Sequence, residues 1–180
     1  YRSIGRPPGS NMSNLLVQNI KHTNNTTAMT VDSSGRITEP NRPAFLATYA
    51  NNAWSTVSNN DVIQFNDVSS GDCFDTGSDF VTGTYRFVAP VAGTYYFAYS
   101  IYTINSDTTA AFKFRKNGSD LVMAGSTAQF TQMSEDGAID NTATGITVTS
   151  LSASDYIQVT GAGSSDVYGY YSSFCGHLIG

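Results

Sequence analysis

Charged side chains are scarce in this chain: Asp, Glu, Lys and Arg make up 13% of its 180 residues, about half the share usual in soluble domains. Leucine occurs only six times, and apolar residues nowhere repeat at helical spacing for more than two turns. Ser and Thr supply 43 residues and Asn a further 14, which favours strands and turns. These features argue against a helical protein and predict an all-β fold with a polar, uncharged surface.

Long apolar runs and clusters of positive charge are also missing. No run approaches the roughly 20 residues that a membrane-spanning helix needs. Residues 44–180 contain twelve acidic and four basic side chains, a formal charge of −8, whereas residues 1–43 carry +3. Because no apolar run is long enough, we expect no membrane insertion. Because phosphate binding needs clustered cations, we expect no nucleic-acid partner.

Residues suited to nucleophilic or metal chemistry are few, since the chain has two cysteines and two histidines. No Cys-x-x-Cys pair is present, which argues against a zinc cage. Cys175 and His177 are expected to share one face of a strand, but no acidic or amide partner is identifiable that would orient the histidine for catalysis. Cys73 and Cys175 are consistent with a disulfide, with two buried thiols or with an exposed thiol, and the reduced state is favoured.

Acidic and amide side chains cluster in four predicted turns: Asn59-Asn60-Asp61, Asn105-Ser106-Asp107, Glu135-Asp136 and Asp140-Asn141. Such oxygen ligands suit calcium, the one cofactor that the chain allows for, although solvated turns explain them more simply. No spaced pair of acids in an aromatic cleft is identifiable, so a glycan hydrolase is only a remote alternative. We expect no catalytic residues and no enzyme activity.

Three segments are predicted along the chain. Residues 1–10 differ in composition from the rest of the chain and are interpreted as a cloning or linker remnant. Residues 11–43 form a short segment of β or extended structure that ends in a Pro-containing linker. Residues 44–180 hold closely spaced strand candidates separated by Gly, Asn, Asp and Ser, which is typical of a sandwich or barrel. The candidates are 44–49, 61–65, 84–88, 93–102, 110–115, 120–124, 145–151, 156–161 and 168–179.

The strand after Gly93 has two different faces. One face holds the large residues Tyr95, Phe97, Tyr99 and Ile101 and is predicted to face the core. The residues between them form a second set, which alternates small side chains with tyrosines. The second set suits contact with a neighbouring subunit, where amphipathic tyrosines are favoured. This predicted trimer interface consists of Tyr96, Ala98, Ser100 and Tyr102. Farther on, Asn117-Gly118 predicts a tight hairpin turn.

An ordered set of motifs resembles the C1q-like globular domain, a relative of the tumour necrosis factor fold. The motifs are Ala44-Phe45-Leu46-Ala47, Phe74-Asp75, Pro90-x-x-Gly93-x-Tyr95-x-Phe97, Asn117-Gly118, Leu151 to Asp155 and Phe174-Cys175-Gly176-His177-Leu178. The resemblance covers residues 44–180. It implies a jelly-roll sandwich of about ten strands that forms a compact homotrimer and acts through surface loops.

The N-terminal residues Thr26 to Ile37 resemble a short module of bacteriophage tail fibres and other virion appendages. Together the two resemblances imply a trimeric, non-enzymatic head of a fibre that is part of the virion. This head would bind a receptor on the host cell surface, and a glycan is the favoured ligand. The N-terminal segment would then contact other virion proteins. The alternative is a secreted, extracellular C1q-like binding module of a cellular organism.

Receptor contacts are predicted in the polar loops. Trp54 is the sole tryptophan and lies among several asparagines, where an indole ring suits stacking on a sugar, although a place in the core or at a subunit seam also explains it. The predicted receptor-binding residues are Trp54, Asn59, Asn60, Asn105 and Asp107.

Overall fold

The structure, a computed structural model, describes residues 17–104, 110–122, 130–133 and 140–180. Within these ranges every regular element is a β-strand. None of the described residues belongs to a helix long and apolar enough to cross a membrane. The chain divides into two compact units, Tyr1–Asn41 and Arg42–Gly180. Residues 1–10, interpreted as a remnant, lie outside the described residues.

The first unit contains a small antiparallel sheet with the strands β1 (Asn19–Lys21), β2 (Thr27–Val31) and β3 (Ile37–Thr38), in that order. The turn before β3 is held by Asp32, whose carboxylate accepts hydrogen bonds from the Arg36 N–H at 2.9 Å and from its guanidinium at 2.7 Å. These bonds, the backbone one first, lower the pKa of Asp32. Ile20 and Ile37 remain exposed, so this sheet buries little apolar surface by itself.

The second unit is a sandwich of two antiparallel sheets. The strands of sheet I are β4 (Ala44–Thr48), β5 (Trp54–Val57), β6 (Phe74–Thr76), β9 (Gly93–Ile104), β13 (Asp140–Leu151) and β15 (Ser165–Leu178). Those of sheet II are β7 (Phe80–Val81), β8 (Arg86–Val88), β10 (Ala110–Lys116), β11 (Ser119–Asp120), β12 (Phe130–Met133) and β14 (Tyr156–Gly161). Sheet I has the order β13-β9-β15-β4-β6, and β5 also pairs with β15. Sheet II has the order β11-β10-β14-β8-β7, and β12 also pairs with β10.

Aromatic side chains fill the space between the two sheets. Phe45 is central: its ring lies 5.1 Å from that of Phe87 in sheet II and 4.9 Å from that of Phe174 in sheet I. The predicted core face of β9 is confirmed, because Tyr95, Phe97, Tyr99 and Ile101 are all at most 2% exposed. The hydroxyl of Tyr99 crosses the core and donates to the carbonyl oxygen of Phe112 in β10 at 2.9 Å. The predicted jelly-roll sandwich is confirmed, with very short strands such as β7 and β11 in addition to the longer ones.

The hairpin predicted at Asn117-Gly118 is confirmed. Both residues have positive φ angles, 51° and 78°, and Lys116 pairs with Ser119 across the turn. The Asn117 side chain also ties the turn to sheet II, since its amide donates to Asp155 at 2.7 Å and its oxygen accepts from a backbone N–H at 2.9 Å. The basic group beside this turn is ion-paired, with Lys113 2.8 Å from Asp120.

Three predictions of local structure are wrong. Asp140 and Asn141, expected in a turn, begin strand β13 and pair with Ile104 and Thr103 of β9. Residues 61–65 form no strand: only Val62 makes an isolated bridge, to Thr160, although the segment buries Ile63 and Phe65 completely. Apolar and polar residues alternate in this segment because Ile63 and Phe65 are buried, and not because the segment is hydrogen-bonded to a neighbouring strand. Conversely, the residues around Trp54, expected as loop, begin strand β5, because they pair with the start of β15.

Candidate functional site

The side of sheet I that points away from the core is apolar over most of its width, and we call it the outer face. One register row across it runs from edge to edge through Phe74, Leu46, Cys175, Ala98 and Ile146. None of these side chains carries a charge. A face of this composition is suited to contact with another protein surface.

The predicted interface residues of β9 lie in the middle of the outer face. Tyr96, Ala98, Ser100 and Tyr102 are all half-buried, whereas the residues between them are buried in the core. Tyr96 packs against the ring of His177 on β15, with 5.2 Å between centroids. The structure thus places these four residues together on one surface, as the alternating pattern requires.

The β13 edge of the outer face projects two aliphatic side chains. Ile146 is 57% exposed and Val148 is 58% exposed, and both lie beside β9 at Ala98 and Tyr96. The alternate residues of β13 point inward: Ala143 and Thr147 are buried. β13 therefore presents an apolar ridge.

The opposite edge of the outer face contains a cavity of about 350 Å³. Leu46 and Ala50 supply part of its wall, and other parts come from Tyr170 and from the two carboxylates of Asp67 and Asp72. Next to the cavity, Phe74 of β6 is 47% exposed. One edge of the sheet thus carries a ridge, and the other carries a recess whose wall combines apolar side chains with two carboxylates.

The two cysteines are free thiols. Cys175 lies on the outer face beside Ala98, and burial raises the pKa of its thiol. A raised thiol pKa opposes formation of the thiolate that a cysteine nucleophile needs. His177 lies on the same face of β15, as expected, but its ring packs on Tyr96. The arrangement gives no sign of an activated Cys/His pair.

Trp54 and three tyrosines form a cluster at one end of the outer face, which we call the aromatic cluster (Trp54, Tyr102, Tyr168 and Tyr171). The rings of Trp54 and Tyr102 lie 5.7 Å apart and within 24° of parallel. Tyr168 meets the indole edge-on at 5.2 Å and stacks on Tyr171 at 5.3 Å, and its hydroxyl donates to the Asn52 side chain. The sequence assigns Trp54 to the receptor and Tyr102 to the subunit interface, yet the structure joins them in one surface.

A bulge in β15 builds part of this end of the face. Four residues beginning at Gly169 lie opposite the single residue Ile101 of β9. The Ser172 hydroxyl closes the bulge with two backbone hydrogen bonds of 2.8 and 3.1 Å. A Cβ at Gly169 would lie 2.6 Å from a backbone carbonyl oxygen, so glycine is required there. The bulge turns Tyr170 and Tyr171 outward, to 58% and 68% exposure, as bulges beside functional surfaces often do.

Of the other predicted receptor residues, Asn59 and Asn60 are exposed in the turn that follows β5. Asn60 has a φ of 69°, and the Asp61 carboxylate accepts the Ser58 N–H at 2.9 Å, so this turn is held by its own hydrogen bonds. Asn105, Asp107 and the acidic pair 135–136 lie outside the described residues. Among the residues that are described, no three His, Cys, Asp or Glu side chains group closely enough to hold a metal ion.

Sequence reasoning did not find the apolar ridge, the recess or the bulge. Ile146 and Val148 alternate with inward residues in the predicted strand 145–151, so the pattern contained the signal for the ridge. Gly169 within a tyrosine-rich strand was the available signal for the bulge. The recess depends on residues distant in the chain and leaves no local pattern.

Comparison with known proteins agrees with this architecture. Two solved structures are similar in fold. The globular domain of zebrafish complement 1qA protein is 19% identical in sequence, with a TM-score of 0.58, and the match covers 77% of this chain and 98% of that chain. Eiger TNF from S. frugiperda is 15% identical, also with a TM-score of 0.58, and the match covers 77% of this chain and 94% of that chain. The search of curated proteins found no match. The family model for the C1q domain matches residues 44–179, well over half of the sequence. On that match, the chain belongs to the C1q domain family.

Proposed function

We propose that this chain is a non-enzymatic recognition head that assembles as a homotrimer through the outer face of sheet I and binds a glycan on a host cell surface. C1q-like domains are typically non-enzymatic binding modules. The observation that carries the proposal is the exposed apolar ridge of Ile146 and Val148, which lies on the same face as a recess at the opposite edge.

The ridge and the recess favour a closed ring of copies. Because they lie at opposite edges of one face, the ridge of one copy can enter the recess of the next, which is a head-to-tail contact. Such contacts close into a ring when the rotation between copies allows it. A ring of three is the number that the C1q-like resemblance implies. The amphipathic residues Tyr96 and Tyr102 would lie between neighbouring copies.

Glycan binding is supported by the polar surface around β5, where the charged side chains Asp61 and Asp166 are both carboxylates. The scarcity of cations suits a neutral ligand that offers hydroxyl groups, and so do exposed Trp54 at the start of β5 and exposed Asn59 and Asn60 after its end. Asn105 and Asp107 stay in the proposed receptor surface on sequence grounds. Three copies would present three such sites, so weak binding at each would add up to useful avidity.

The virion setting is proposed from the N-terminal unit. Its sheet leaves Ile20 and Ile37 exposed, which favours coverage by copies of the same segment or by other virion proteins. The segment that resembles fibre modules coincides with strands β2 and β3. A head with this arrangement would work outside the host cell.

The test is the mass of the full chain in solution, followed by binding of the assembled protein to a glycan array. We expect three times the chain mass of 19.2 kDa and retention on a small group of neutral glycans. The matched variants are Trp54→Ala and Val81→Ala, because Val81 is also exposed but lies on sheet II. A monomer, or a trimer that binds no glycan, would contradict the corresponding half of the proposal.

A further inference from the structure

A second cavity, of about 300 Å³, lies between β5 and the segment that follows it. Residues of β5, residues 61–64 and Tyr85 line this cavity, and Tyr85 comes directly before β8. The geometry points to this cavity as a binding site for one neutral sugar ring. The inference rests on the proposed glycan-binding function and places one sugar ring of that ligand in this cavity, while Trp54 and the asparagines after β5, which are not among its described lining residues, would contact other parts of the glycan.

The wall beside β5 is fixed before any ligand arrives. The hydroxyl of Tyr49 lies 2.9 Å from that of Ser55, and the Asn51 amide donates to both oxygens at 3.1 Å. Tyr49 is only 5% exposed. A wall whose polar groups are mutually hydrogen-bonded loses little conformational freedom when a ligand binds.

Other lining groups are available to a ligand. Within the described part of the chain, neither the Gln64 amide nor the Tyr85 hydroxyl has a hydrogen-bond partner. Asp61 accepts the Ser58 N–H through one carboxylate oxygen. The other oxygen makes no hydrogen bond with a described residue. Sugar hydroxyls both donate and accept, so they match a carboxylate, an amide and a phenol placed around one cavity.

The charge of the lining selects against anionic ligands. Among the described residues that line the cavity, Asp61 is the only acidic one, and none is Lys, Arg or His. A phosphate, a sulfate or an acidic sugar would therefore meet a carboxylate and no compensating cation. The Tyr85 ring and Val62 supply apolar surface for the C–H groups of a sugar.

Tyr85 has an unusual backbone conformation. Its φ of 56° lies in the left-handed region, which bulky residues seldom adopt. Both neighbours are anchored: Gln158 donates to the Thr84 carbonyl at 3.0 Å, and Arg86 lies over the Tyr156 ring at 4.5 Å. Strain of this kind costs free energy and persists where the surroundings hold it, often at ligand-binding positions.

The test is saturation-transfer NMR of the full chain with the methyl glycosides of glucose, galactose, mannose and N-acetylglucosamine, and with N-acetylneuraminic acid as the anionic probe. We compare Gln64→Ala and Tyr85→Phe with Gln18→Ala, an exposed glutamine of the first unit. We expect at least one neutral glycoside to bind the parent protein and Gln18→Ala equally. Each cavity variant should weaken that binding about fivefold to tenfold, the effect of one lost hydrogen bond.

Unchanged binding in both cavity variants would overturn the site while leaving glycan recognition elsewhere on the head intact. Binding of N-acetylneuraminic acid alone would overturn the assignment to a neutral sugar. Failure of all five probes, together with an empty glycan array, would overturn both the site and the proposed function. Because Gln64 is exposed and Tyr85→Phe removes only a hydroxyl, both variants should keep the thermal unfolding midpoint of the parent.

Discussion

Replacing the ridge residues Ile146 and Val148 should dissociate the proposed trimer. Complete burial of a Val or Ile side chain is worth about 1.5–3 kcal/mol, and Ile146 and Val148 each keep slightly more than half of their surface exposed. Burying the remainder should therefore contribute about 2–3 kcal/mol at each contact between copies, or about 6–9 kcal/mol over three contacts in a ring. The double variant Ile146→Lys/Val148→Lys loses this contribution and adds two charges that would have to be desolvated.

The assay is light scattering on a sizing column over a dilution series. A loss of about 6 kcal/mol corresponds to a trimer dissociation constant raised by about four orders of magnitude, so the double variant should run as a monomer where the parent protein is a trimer. Val81→Lys, on sheet II, is the control and should remain a trimer. Far-UV circular dichroism checks that the variants keep their β structure. A double variant that retains the parent mass would refute the assignment of the ridge to the interface.

Three further predictions concern stability. Tyr99→Phe leaves the Phe112 carbonyl without its cross-core donor and should lower the free energy of unfolding by about 1–2 kcal/mol in urea, whereas Tyr171→Phe, which is exposed, should change it little. Gly169→Ala forces a Cβ against a backbone oxygen and should cost about 1–3 kcal/mol; an unchanged melting temperature would show that the bulge relaxes freely. Hydrogen bonds from the Asn117 amide, then from the Ser152 N–H and Lys116, lower the pKa of Asp155 to about 2. Hydrogen bonds from Ser70 and Ser69 lower the pKa of Asp67 to about 2. Because both folded-state pKa values lie below the ordinary 3.8, their contribution is complete above about pH 4 and is lost as the pH falls towards 2. Melting temperatures should fall in that window, and less so in Asp155→Asn; an equal fall in both proteins would contradict this origin.

The sequence predicted those parts of the fold in which local chemistry and burial agree. β9 alternates strictly between core and outer residues from Tyr95 to Thr103, and Asn117-Gly118 supplies the positive φ angles that its turn needs. The strand prediction for residues 61–65 was wrong because this irregular segment buries every second residue, Ile63 and Phe65, as a strand would. β5 was missed because Trp54 begins a polar segment whose strand character comes from pairing with β15, more than 100 residues later.

The candidate site shows the same division. The outer set on β9 could be predicted because it needs only a period of two. Three features bring together residues that are far apart in the chain: the contact of Trp54 with Tyr102, the recess beside Leu46 and the cavity beside Gln64. A single sequence contains no signal for such distant contacts.

The position of β15 has a consequence for how the head forms during synthesis. This strand pairs with β4, β5 and β9 in the middle of sheet I, yet it comes after all of them in the chain. During translation, the place between β4 and β9 stays empty until β15 emerges. Their edges remain unpaired and their apolar faces remain incompletely covered until then. Long-range pairing of this kind slows folding and prolongs the exposure of aggregation-prone edges. Sheet I, and with it the surface on which copies would meet, can be completed only after β15 has left the ribosome, so copies cannot meet through the whole of that surface before then.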